Sequence, residues 1–152
     1  MKTTLMILGS LLIANIASAQ KMNEKDIPVK VKDTFAKKYP GVKAEWEKEG
    51  ADYEAEFEQN KIEQSVVFDE LGTFKEIEQE IKTTELPKAV TDYCTKNYAG
   101  YKLSEASKIT EASGKLMYEA ELTKRKEHFD AIFDDKGVFI KKSEMETEHK
   151  KD

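Results

Sequence analysis

Tyr53-Glu54-Ala55-Glu56-Phe57-Glu58 alternates an apolar or small side chain with a glutamate at every step. Successive side chains of a strand point to opposite faces, so this run predicts a β-strand with one buried and one wet face. The stretch before it follows the same rule, with Ala44 and Trp46 set against Glu45 and Glu47. Gly50-Ala51-Asp52 and Gln59-Asn60-Lys61 read as short polar connections. Strands are therefore predicted over residues 43–48, 53–59, 62–68 and 74–81, joined as an antiparallel meander. Asp69-Glu70-Leu71-Gly72 is the last turn, with Asp bonding its own backbone and Gly free to take positive φ.

Upstream, Ile27, Val31, Phe35 and Tyr39 recur every four residues, which predicts an amphipathic helix over 28–39. Pro28 suits its first turn and Pro40-Gly41 ends it. Pro28, Phe35, Tyr39 and Gly41 then recur 59 residues later as Pro87, Cys94, Tyr98 and Gly100. At an offset of 65, Tyr53, Phe57, Phe68, Asp69 and Gly72 meet Tyr118, Leu122, Phe133, Asp134 and Gly137. A repeat that keeps its apolar spacing and turn glycines predicts one unit used twice. The fold expected is α+β: two tandem helix-plus-four-strand antiparallel repeats, with the helices packed on one face of a curved sheet. The first unit spans 20–82 and the second 83–144, with a helix over 87–98. Residues 145–152 read as a charged flexible tail.

Residues 1–19 read as a signal peptide. Lys2 is the basic start, Leu5 to Ile16 the apolar run and Ala17-Ser18-Ala19 the small-residue cleavage site. This predicts a periplasmic or secreted protein with no stable membrane anchor after the leader is removed. Without Lys2 the chain has 24 basic against 30 acidic residues, and Arg125 is its only arginine. Nucleic-acid binders cluster Arg and Lys, so that class of partner is excluded. A unit of about 55 residues buries only about 60% of its unfolded surface alone, so the two units are expected to share a sheet or core.

No catalytic residues and no cofactor-binding or metal-binding set emerge. His128 and His149 are the only histidines, and neither has a partner at metal-ligand spacing. Cys94 is the single cysteine, and its correspondence to Phe35 gives it a core position. Tyr93 and Tyr101 fall off the main helical stripe and are candidate exposed contacts. The acidic strip is the remaining feature: Glu45, Glu47, Glu54, Glu56, Glu58, Glu63, Glu119 and Glu121 would share one sheet face. It is a candidate partner face, read either as a surface for a basic partner or as a small-ligand or divalent-cation site. Against both stands a plain solvated face whose charges oppose aggregation.

The order Ile27-Pro28, Val31, Tyr39-Pro40-Gly41, Tyr53 and Phe68-Asp69-Glu70-Leu71-Gly72-Thr73-Phe74 resembles the PepSY-like, beta-lactamase-inhibitor-like family. Leu86-Pro87, Val90, Tyr98-Ala99-Gly100, Tyr118 and Phe133 to Phe139 present it a second time. The resemblance implies a small exported bacterial protein without catalytic residues, acting as a non-enzymatic binding or inhibitor-like module. It would contact a protein or cell-envelope component through the open sheet face or hairpin loops. The same resemblance would imply a disulfide in each unit, which one cysteine forbids. It also implies an aromatic gripping face, where this chain has Glu and Lys. The reading therefore argues against beta-lactamase inhibition.

Overall fold

The computed structural model describes residues 20–147, so the signal-peptide reading of 1–19 lies outside the described residues. Strand β1 (Gln20–Met22) comes first, then helix α1 (Val29–Lys38). Four strands follow: β2 (Glu45–Glu49), β3 (Asp52–Gln59), β4 (Ile62–Phe68) and β5 (Phe74–Ile81). Helix α2 (Lys88–Asn97) leads into β6 (Lys102–Glu111), β7 (Leu116–Lys124), β8 (Glu127–Asp134), β9 (Phe139–Lys142) and β10 (Glu146–Thr147).

The helices form where the four-residue spacing places them. Val31 and Phe35 are buried along α1, with Ile27 and Tyr39 buried at its two ends. Pro28 is the N-cap, and Tyr39, at φ −129° and ψ 70°, has already left helical geometry. A proline next in the chain disfavours the α region for the residue before it. Along α2, Val90 and Cys94 take the equivalent buried places.

All strand pairs are antiparallel and lie in one sheet of order β1-β2-β3-β4-β5-β6-β7-β8-β10, with β9 also on β8. This overturns the expected pair of helix-plus-four-strand repeats. Among the described residues the strands form a single ten-stranded sheet served by two α-helices, and only the broad α+β class remains. Three pairings make the difference. β1 adds to the edge at β2, from Gln20↔Lys48 to Met22↔Trp46. β10 adds to β8 through Glu146↔His128 and Thr147↔Glu127. β5 pairs directly with β6 over six positions, from Glu76↔Glu111 to Ile81↔Ala106. A free strand edge leaves backbone donors and acceptors unpaired, and joining β5 to β6 removes two such edges.

Both helices pack on the same side of the sheet. Around α1, Phe35 meets Trp46 and Phe57 edge-on, each with ring centroids 5.3 Å apart. Around α2, Val90 and Cys94 join Ala106, Ala120, Leu122, Phe129, Ala131 and Phe133. Tyr93 and Tyr101 are half-buried, each with its ring packed against the α2 core. Tyr93 stacks on Phe139 with centroids 5.0 Å apart, and Tyr101 packs edge-on against Phe129. Two turns fasten the sheet to the helix starts. Asp69 Oδ1 accepts hydrogen bonds from the amides of Leu71 and Thr73, and Asp134 Oδ1 accepts them from Lys136 and Val138. Gly72, at φ +79°, lies so close to α1 that a Cβ would sit 2.6 Å from the Lys30 carbonyl oxygen.

Candidate functional site

Strand alternation sends every second side chain to the face away from the helices, and the pairing shows which of them meet. Glu45 lies opposite Glu56, Glu47 opposite Glu54, Glu49 opposite Asp52, and Glu58 opposite Glu63. Farther along, Glu76 faces Glu111, Glu105 faces Glu121, and Glu121 faces Asp130. Seven acid–acid pairs thus stand across neighbouring strands on one face. Like charges directly opposite each other are destabilising in a sheet.

The eight glutamates singled out from the sequence fall into two groups on this face. Glu45, Glu47, Glu54, Glu56, Glu58 and Glu63 are contiguous on β2 to β4, whereas Glu119 and Glu121 lie on β7. Glu76, Glu78 and Glu80 of β5, with Glu105, Ser107 and Glu111 of β6, fill the gap between them. Sequence reasoning missed these six. Their signal was present in Glu76, Glu78 and Glu80 alternating with Ile77 and Ile81.

The expectation of a uniformly wet face is corrected. Glu45, Glu58 and Glu63 are exposed, and Lys21 Nζ pairs with Glu45 Oε2 at 2.5 Å. Glu56 and Glu121 are half-buried, while Glu47, Glu54 and Glu119 are buried, along with Glu78. The cause is apolar: Val67, Ile109, Met117 and Ile132 stand on this same face and are themselves buried. Ile109 pairs with Glu78 and with Met117, and Ile132 pairs with Glu119. No helix residue belongs to that cluster.

Burial with few cations raises the proton affinity of these acids. Glu56 is pushed up to about 7, by burial first and then by Glu47 and Glu45, with Lys21 pulling the other way. Burial likewise raises Glu54, against a hydrogen bond from Ser65, and raises Glu76 and Glu105. Glu78 is pushed up to about 8, by burial and then by Asp130 and Glu76, against a hydrogen bond from Ser107. Glu119 is also held well above the usual carboxylate range, by burial and then by Glu78. Elsewhere on the face, Lys75 Nζ reaches Asp52 Oδ2 at 2.6 Å. Among the described residues no three His, Cys, Asp or Glu side chains are grouped to hold a metal ion. No helix of the described residues is long and apolar enough to cross a membrane.

Burial also pushes the Cys94 thiol up to about 11. A nucleophilic cysteine needs the opposite shift and access to solvent.

The sequence matches the model of a family described as "Putative beta-lactamase-inhibitor-like, PepSY-like" over residues 15–75 and again over 51–141. Among solved structures, a DUF2874 family protein from Bacteroides uniformis is similar, with a TM-score of 0.66 and 19% identity. The match covers 76% of this chain and 88% of that one. A "putative periplasmic" protein from Bacteroides eggerthii gives a TM-score of 0.67 at 18% identity, covering 76% and 87%. A BLIP-like protein from Bacteroides fragilis gives 0.59 at 20% identity, covering 82% and 91%. At these identities the likeness is one of fold. No curated protein matches the sequence.

Proposed function

The chain belongs to the beta-lactamase-inhibitor-like, PepSY-like family, and from that premise we propose an exported, non-enzymatic binding module whose open sheet face engages a basic protein partner. One observation carries this reading: the seven acid–acid pairs on the face away from the helices. Like charges directly opposite each other work against the sheet, and Lys21 and Lys75 offset two of the pairs through Glu45 and Asp52. A cationic surface laid across them would relieve that repulsion and gain charge complementarity. Export is supported by the leader-like residues 1–19 and by the periplasmic description of a fold neighbour. A non-enzymatic role is supported by the inhibitor-like description of the family and by the buried Cys94 thiol, which burial pushes up to about 11.

The test places a photo-crosslinker at Glu58 or Glu63, both exposed on this face, and compares it with one at Lys96 on the outer side of α2. Probes on the open face should capture a defined basic protein from envelope extract. Capture should fade with added salt and with joint Glu45, Glu56, Glu58 and Glu63→Gln substitution. Equal capture from Lys96, or indifference to both salt and the substitutions, would sink the reading.

A further inference from the structure

Strand β1 starts where the expected leader ends. The small-residue triplet Ala17-Ser18-Ala19 places the expected cleavage after residue 19, and β1 begins at the next residue, Gln20. A chain processed there opens directly inside the sheet, with no overhang before the first paired residue. Gln20 lies opposite Lys48, Lys21 opposite Glu47 and Met22 opposite Trp46. Lys21 also pairs with Glu45, and Met22 packs against the α1 core. β1 is an outermost strand, with β2 as its one partner among the described strands.

Gln20 is exposed, and its carboxamide makes no hydrogen bond among the described residues. Cleavage before it would place a free α-amine on that same residue. An α-amine gives up its proton at a pKa of about 7.7–8.0, so at neutral pH a fraction of it is unprotonated and nucleophilic. The electrophile is the side-chain amide carbon of Gln20 itself, reached by closing a five-membered ring. Closure needs no second residue, no metal and no oxidant.

We propose that Gln20 is a modification site, at which the processed chain closes on itself as a pyroglutamyl cap on β1. The α-nitrogen bonds to Cδ, the Cδ–Nε2 bond breaks, and Nε2 leaves as ammonia with a proton from the amine. This rests on the export reading, because removal of the leader is what frees the amine. The lactam keeps one N–H and the residue keeps its C=O, so the backbone groups that a strand pairs with are retained. The loss is a terminal charge and a foothold. An aminopeptidase needs a free α-amine, and two cuts on an open chain would remove Gln20 and Lys21, and with Lys21 the ion pair to Glu45. A third would take Met22 from the α1 core. Proteolysis concentrates at chain ends, and this end is an edge strand of only three residues.

The test is the intact mass of the full-length chain, expressed with its leader in its source organism and recovered from the envelope fraction. The expected species is residues 20–152, lighter by one ammonia and without a reactive α-amine. The same residues at full mass, with a reactive α-amine, would overturn the cap and leave export standing. A start at any other residue would also overturn the cap alone, whereas an uncleaved chain would overturn both. Beside the parent, Gln20→Ala should keep a reactive α-amine and lose residues 20–22 to a broad-specificity aminopeptidase, while the parent stays whole. Equal trimming of the two would overturn the protective role of the ring.

Discussion

The helix-covered face and the open face are made by the same strands, one residue apart, yet they carry opposite loads. On the first, Phe35, Trp46 and Phe57 pack around α1, and Phe129 and Phe133 pack around α2. On the second, glutamate faces glutamate across strand after strand. The covered face supplies the hydrophobic burial that holds the sheet together. With stability secured there, the open face is free to keep an arrangement that works against folding. The acid–acid pairs of the open face are an arrangement that the burial on the covered face has to offset.

The contrast breaks most severely on the covered face. Phe133→Ala removes a fully buried ring and should cost about 3–5 kcal/mol, measured by urea unfolding. A loss below about 1 kcal/mol would mean that the helix side is not the main source of stability. Next in size is Gly72→Ala, at about 2–3 kcal/mol, because left-handed strain is joined by collision with a helix carbonyl. Gly50→Ala, at φ +57° with nothing within 4 Å of the added methyl, should cost only about 1 kcal/mol. Equal losses at the two glycines would show that the turn is not wedged against α1.

The open face should respond to charge rather than to volume. Glu54→Gln removes a buried acid whose proton affinity burial has raised. The parent loses that acid's stabilising protonation as pH climbs above the ordinary glutamate range, so the variant should gain on the parent at pH 8 relative to pH 4. Thermal unfolding at the two pH values measures this, and a difference that does not change with pH would contradict it. Glu58→Gln is smallest, within about 0.5 kcal/mol of zero at either pH, because the side chain is exposed.

Much of this contrast was legible in the strand alternation. Tyr53, Ala55 and Phe57 against Glu54, Glu56 and Glu58 describe their two faces without any tertiary information, and β5 carried the same signal at Glu76, Glu78 and Glu80. The single sheet was not legible, since nothing local in β5 or β6 announces that they will pair. Nor does alternation tell which glutamates of one face stay wet. Glu54 and Glu58 look alike in sequence, two positions apart on one strand, yet one is buried and the other exposed.

What the chain alone determined is the direction of each side chain, because the pleat is a local property with a period of two. What the tertiary structure decided is how much water each side chain keeps. That depends on neighbours far along the chain: Glu78 meets Ile109 and Glu119 only after β5 has joined β6. A carboxyl's environment is set by all the strands around it, and so its proton affinity could not be read from its own segment.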